Sequence, residues 1–184
     1  MIGLGNHGGE YASTRHNVGW RCLAELERRG RFGRERREGP ARVRQGTLGG
    51  IDVVLARPHT YMNLSGRAGL HLTGKLGVPP EEVIVVHDDL DLRVGRVQLK
   101  RGGGHAGQKG VLSLINAWRT RDFLRVRIGI GRPPPDVDPV DYVLQPFARD
   151  ERPLIDDAVI RAADAVEAAV RLGPEEAMNV TNRR

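Results

Sequence analysis

"EVIVVHD", running from Glu82 to Asp88, is the stretch on which the fold turns. Val83, Ile84, Val85 and Val86 follow one another without the alternation of a strand that keeps one face wet. A run of this kind belongs to a strand covered on both faces, which in practice means a parallel strand inside an α/β sheet. Downstream, "GRVQLKRGGG" reads as a strand and a glycine loop, and a helix follows near Gly110–Trp118. "FLRVRIGIGRPPP" is an alternating strand stopped by prolines. Asp150 to Gly173 carries the clearest helical stripe, with Ile155, Val159, Ala162, Val166 and Val170 on one side and Pro153 at its start. A short last helix follows Pro174.

Upstream, a clipped strand at Met1–Leu4 precedes a helix over Asn17–Arg29 that closes at Gly30. "RFGRERREGP" (31–40) reads as a charged, mobile loop. Next, "ARVRQGTL" and "IDVVLARP" are joined by Gly49–Gly50, a hairpin signal. "TYMNLSG" leads into a helix over Arg67–Leu76, ended by Gly77. No linker divides the chain. Strands alternating with helices, plus a hairpin, predict a single three-layer α/β domain over residues 1–184, its mixed, mostly parallel sheet flanked by helices.

The 184 residues carry a net charge of +6, with 39% hydrophobic and 28% charged residues, a balance expected of a soluble globular protein. The excess of positive charge favours polyanionic partners, although only three of the 29 basic residues are lysines, a skew that base composition alone can produce. Aromatic residues make up 4%, too few for a platform that grips single strands, so any RNA would be held by phosphate and shape contacts. The apolar runs are too short to cross a bilayer, and no signal-like segment precedes Gly3, so a cytoplasmic location is expected. The lone Cys22 excludes an internal disulfide and a multi-cysteine zinc site.

Four polar stretches fall at the ends of separate predicted strands. "GLGNHGGEYASTRHN" (3–17) contains Gly-x-Gly-x-x-Gly, but the strand before it is very short. Glu25 and Glu27 sit inside a helix where a ribose-reading acid should end a strand, so dinucleotide binding is disfavoured. Acid–base chemistry fits better: His16 can take and return a proton near neutral pH, and Asn6 and Asn17 can hold a water or carbonyl without titrating. The plainer alternative makes Asn17 a helix cap and His16 a surface residue. "TYMNLSG" offers Asn63 beside Met62. "VVHDDLD" sets His87, Asp88, Asp89 and Asp91 at the carboxyl end of the most buried strand, where open α/β sheets bind ligands. "KRGGGHAGQKG" surrounds a glycine loop with Lys100, Arg101, His105 and Lys109, a composition suited to phosphates. A metal-dependent phosphohydrolase built on Asp88, Asp89 and Asp91 is a rival reading. No Gly-x-Ser-x-Gly elbow supports a serine nucleophile.

Taken together, "GLGNHGGEYASTRHNVG", "TYMNLSG", "VVHDDLD", "GGGHAGQKG", "RVRIGIGRP" and the closing "MNVTNRR" resemble the bacterial peptidyl-tRNA hydrolases, in order and over essentially the whole chain. The resemblance implies hydrolysis of the ester between a peptide and the 3′-terminal ribose of tRNA. It implies His16 as the catalytic imidazole and Asp88 as its carboxylate partner. Asn6 and Asn63 would bind the ester and peptide end, and Tyr11 and Met62 would line the cleft. Lys100, Arg101, Arg125 and Arg127 would face the tRNA. It further implies no metal, no cofactor and a monomeric α/β globule. The chain departs from the family pattern at His7, where proline is usual, and at Lys109, where many members have asparagine at the catalytic site. It also has fewer residues before Gly3. A non-catalytic RNA-binding protein on the same fold is the alternative from another class.

Overall fold

The computed structural model describes residues 1–183. Eight strands form one sheet: β1 (Ile2–Gly3), β2 (Arg31–Phe32), β3 (Arg36–Glu38), β4 (Ala41–Leu48), β5 (Ile51–Pro58), β6 (Ile84–Asp89), β7 (Val97–Arg101) and β8 (Leu124–Gly129). The order is β2-β4-β5-β1-β6-β8-β7, with β3 paired to β4. The central four strands, β5, β1, β6 and β8, run parallel, and antiparallel strands flank them on both sides. Every residue of β6 is buried, as its unbroken apolar run requires.

Helices cover both faces. On one side α1 (Val18–Arg29) and α5 (Arg152–Leu172), with α6 (Pro174–Asn182), enclose a core that includes Leu23, Val86, Val126 and Val166. On the other, α2 (Ser65–Leu76) and α3 (Lys109–Trp118) pack over Leu4, Val85, Leu114 and Phe123. Helix α1 lies unusually close to the sheet: a Cβ at Gly19 would come within 2.5 Å of the Val86 carbonyl oxygen. That approach lets the turn before α1 sit directly above the end of β6. Cys22 is buried in this layer, and burial pushes its thiol up to about 12.

The hairpin forms as expected between β4 and β5, with Gly49 and Gly50 both at positive φ. The expected loop at 31–40 does not hold throughout. β2 and β3 both pair with β4, and the arginines that suggested a mobile loop point outward from an edge of the sheet. A further short helix, α4 (Pro139–Val143), was not evident in the sequence; Asp138 caps it and Pro139 starts it. The opposite edge is closed by a side chain: Asn182 donates to the Leu99 carbonyl and accepts from its N–H, both at 2.9 Å. The tail motif "MNVTNRR" thus runs along β7, and its last residue, Arg184, lies outside the described residues. No helix among the described residues is long and apolar enough to cross a membrane.

Candidate active site

Two short turns follow β1, Gly9–Tyr11 and Arg15–Asn17, and the second carries His16 over the carboxyl end of β6. His16 Nδ1 lies 2.8 Å from Asp88 Oδ2, with His16 8% and Asp88 2% exposed. Burial pushes the Asp88 carboxyl up, but the charge and hydrogen bond of His16 and the amide of Gln108 outweigh it, so the group sits below the ordinary carboxylate value. An ionised Asp88 can only accept, so Nδ1–H donates, and in the neutral ring Nε2 is left with the lone pair.

Asn17 does not cap α1. Its amide clamps the backbone of Asn6 instead, accepting from Asn6 N–H and donating to the Asn6 carbonyl, each at 2.9 Å. Asn6 Oδ1 accepts from Met62 N–H at 2.7 Å, which leaves the Asn6 Nδ2 amide without a protein partner among the described residues. The opening loop is therefore tied to the "TYMNLSG" loop through one side chain.

A cavity of ≈ 340 Å³ is lined by His16, Asp88, Asn6, Tyr11, Met62, Asn63 and Lys109, together with Tyr61, Gln108 and residues of α4. The structure thus brings together His16 and Asp88, the four residues expected to bind the ester and peptide, and Lys109, the position where the chain departs from the family pattern. Larger hollows of ≈ 1070 and ≈ 860 Å³ lie elsewhere, and neither contains a histidine.

Gln108 went unnoticed in the sequence. Its Oε1 accepts from the N–H groups of Gly110 and Val111 at the start of α3, and its Nε2 donates to Asp88 Oδ1 at 2.8 Å. The cap fixes which end of the amide faces Asp88. Gln108→Ala is expected to lower stability by about 2–4 kcal/mol, through a lost cap and a lost bond to a buried charge. A shift in the denaturant midpoint at unchanged slope checks this.

Arg15, next to His16, is buried with its guanidinium 4.2 Å from the Tyr142 ring centre and 4.9 Å from that of Phe147. It pairs with Glu151 at 2.7 Å, and its backbone N–H donates to the Gln145 carbonyl. The turn bearing the imidazole is thereby held by the last third of the chain.

The expected phosphate-facing residues separate. Lys100 is exposed on β7 opposite Arg125. Arg127 donates to Asp89 Oδ2 at 2.7 Å and to Gln98. Arg125 does not face outward: it is 2% exposed and donates to the Gly104 carbonyl at 2.7 Å, bracing the glycine loop from beneath. Burial, then the charge of Arg127, lowers its affinity for a proton. Arg101 pairs with Asp122 at the far end of the strand, opposite Leu124 at the start of β8, and so lies away from Asp88. Nor do the aspartates act as a set: Asp88 faces His16, Asp89 faces Arg127 and Asp91 faces Arg132. His87 is buried and donates Nδ1–H to the Asp88 carbonyl at 2.7 Å, and burial keeps it neutral.

A family model described as peptidyl-tRNA hydrolase matches residues 1–184. A peptidyl-tRNA hydrolase of Nocardia farcinica is 51% identical over 181 residues, covering 97% of this chain and 93% of the relative. One from Mycobacterium avium is 47% identical, covering 97% and 94%. The crystal structure of peptidyl-tRNA hydrolase from Acinetobacter baumannii superposes with a TM-score of 0.92 at 34% identity, covering 98% of this chain and 92% of that one.

Proposed function

The chain belongs to the peptidyl-tRNA hydrolase family and hydrolyses peptidyl-tRNA, and we propose that it does so with His16 as the general base and Asp88 as the carboxylate that orients it. The observation that carries this reading is the 2.8 Å contact between His16 Nδ1 and Asp88 Oδ2 on the floor of the cavity. Hydrolysis of an ester needs a water, a base for its proton and a donor for the oxyanion. With Nδ1–H directed to Asp88, Nε2 can accept the proton of a water lodged beside it, and Asp88 stabilises the imidazolium that results. The unpartnered Asn6 Nδ2 is the donor best placed by its surroundings to meet the developing oxyanion, since its Oδ1 is already committed to Met62. Asn63, Tyr11 and Met62 line the way in for the peptide, and Lys109, exposed at the first turn of α3, brings positive charge to the same cavity.

We assign tRNA contact to Lys100, Arg127 and Lys109, with Arg125 shaping the loop between them. The enzyme so described acts as a monomer in the cytoplasm, with no metal or cofactor of its own. Incubation with N-acetylaminoacyl-tRNA tests the reading. Release of the free N-acetylamino acid at many times the spontaneous rate is expected. Binding without release would overturn it in favour of a non-catalytic RNA binder. Lys100→Ala should reduce the slope of log(kcat/KM) against log(salt) by about 1 for full-length tRNA. A short acyl-nucleoside substrate, lacking the phosphates, should not register the change.

A further inference from the structure

Three rings meet at the rim of the cavity. The His7 ring centre lies 4.8 Å from that of His59 and 5.0 Å from that of Tyr61, at interplanar angles of 39° and 36°. Tyr61 is 54% exposed and reaches the cavity itself, whereas His7 and His59 extend the same wall outward. Among the described residues none of the three rings has a hydrogen-bonding partner that would explain the cluster as a structural lock.

The order of the sheet decides which part of the substrate this wall meets. Asp88 ends β6, which lies between β1 and β8. The rings come from the segments after β1 and β5, on one side of Asp88. Lys100 and Arg127 come from β7 and β8, on the other. The substrate is bipolar in the same sense, with phosphate-rich RNA on one side of the ester and a peptide on the other. If the RNA lies over the basic side, as the hydrolase reading has it, the peptide leaves across the rings. The Glu10 carboxylate sits against Gly8, beside His7, and is a poor neighbour for phosphate.

We propose that His7, His59 and Tyr61 form a subsite for the peptide residue next to the esterified one, and that this subsite selects aromatic over small aliphatic side chains. An extended peptide advances about 3.3–3.6 Å per residue. One residue beyond the ester is therefore enough to carry a side chain from the cavity to the adjoining wall. The inference rests on the hydrolase reading, and its test separates the two. N-acetyl-Phe-Ala-tRNA and N-acetyl-Ala-Ala-tRNA share the bond that is cleaved and differ only at the residue in question. Wild type should prefer the first by roughly three- to tenfold in kcat/KM, the range expected of ring–ring contact. His7→Ala/His59→Ala should bring the ratio close to one, whereas His7→Phe/His59→Phe, which keeps the rings, should retain it. A wild-type ratio near one, or a ratio that survives the double alanine variant, would overturn the subsite and leave the hydrolase reading intact. Failure of wild type to cleave either substrate would overturn both.

Discussion

Replacing His16 with alanine is expected to lower kcat for peptidyl-tRNA by about 10²–10⁴-fold, the usual worth of a positioned general base, while tRNA affinity stays nearly unchanged. The two effects separate because the imidazole touches Asp88 and the cavity, whereas the assigned phosphate contacts come from β7, β8 and the first turn of α3. Alanine also leaves the Asp88 carboxylate buried without its principal partner, a change that can cost about 3–5 kcal/mol and confuse the reading. His16→Asn avoids this. Its amide nitrogen stands where Nδ1 stood and can donate to Asp88, but it supplies no base. Single-turnover cleavage and equilibrium tRNA binding on both variants are the measurements. Full activity in the folded His16→Asn protein would remove the imidazole from the mechanism.

The second large effect is expected at Asp88, and its size depends on Gln108. Asparagine at position 88 has one oxygen and one NH₂ where the carboxylate had two acceptors. Gln108 cannot adapt to the change, because its Oε1 is held by the N–H groups of Gly110 and Val111 and its Nε2 must donate. The new amide oxygen is thus drawn to Gln108, and the NH₂ turns toward His16. Nδ1 must then accept, the ring's proton moves to Nε2, and no lone pair remains for water. Asp88→Asn should therefore cut kcat by about 10²–10⁴-fold with little change in KM, as loss of the correct tautomer does in serine proteases. Adding Gln108→Glu gives the asparagine NH₂ an acceptor and frees its oxygen for Nδ1–H, so the double variant should recover part of the loss. A double variant no better than Asp88→Asn would refute the tautomer account. A linked effect on stability should accompany it. The folded-state Asp88 carboxyl lies below its unfolded value, so its contribution is complete above the ordinary carboxylate range and disappears as pH falls through the folded-state value. The acid limb of the stability curve should be shallower in Asp88→Asn.

Much of this architecture was legible in the residues because it depends on local chemistry. The apolar run of β6 can only be a doubly covered strand, and Gly49–Gly50 supplies the positive φ values that a tight hairpin needs. The stripe from Ile155 to Val166 has no other use than a helix face. β2, β3 and α4 escaped notice because two to five residues are too few to show a period, and the strands are rich in arginine. The site divided along the same line. His16, Asn6 and Asn63 stood out by side-chain chemistry at strand ends, whereas Asp88 was one of four candidates at the end of β6 and only the family resemblance paired it with His16. The role of Gln108 comes from a distance to Asp88 across twenty residues of chain, and glutamine is an uncommon helix cap, so nothing local marked it. The family resemblance grouped Arg101 and Arg125 with Lys100 and Arg127. The tertiary structure separates them, with Arg125 buried beneath the glycine loop and Arg101 at the far end of β7 beside Asp122.

The grip of Tyr142, Phe147 and Glu151 on Arg15 has a bearing on biosynthesis. A growing chain of this protein is itself a peptide esterified to tRNA, the very bond the finished molecule cuts. Until the segment from Tyr142 to Glu151 has left the ribosome, the turn carrying His16 lacks its anchor, however early His16 and Asp88 were translated. If His16 is the base as proposed, hydrolytic activity is expected to appear only after that segment has emerged, so a chain truncated before Tyr142 should cleave N-acetylaminoacyl-tRNA far more slowly than the full protein.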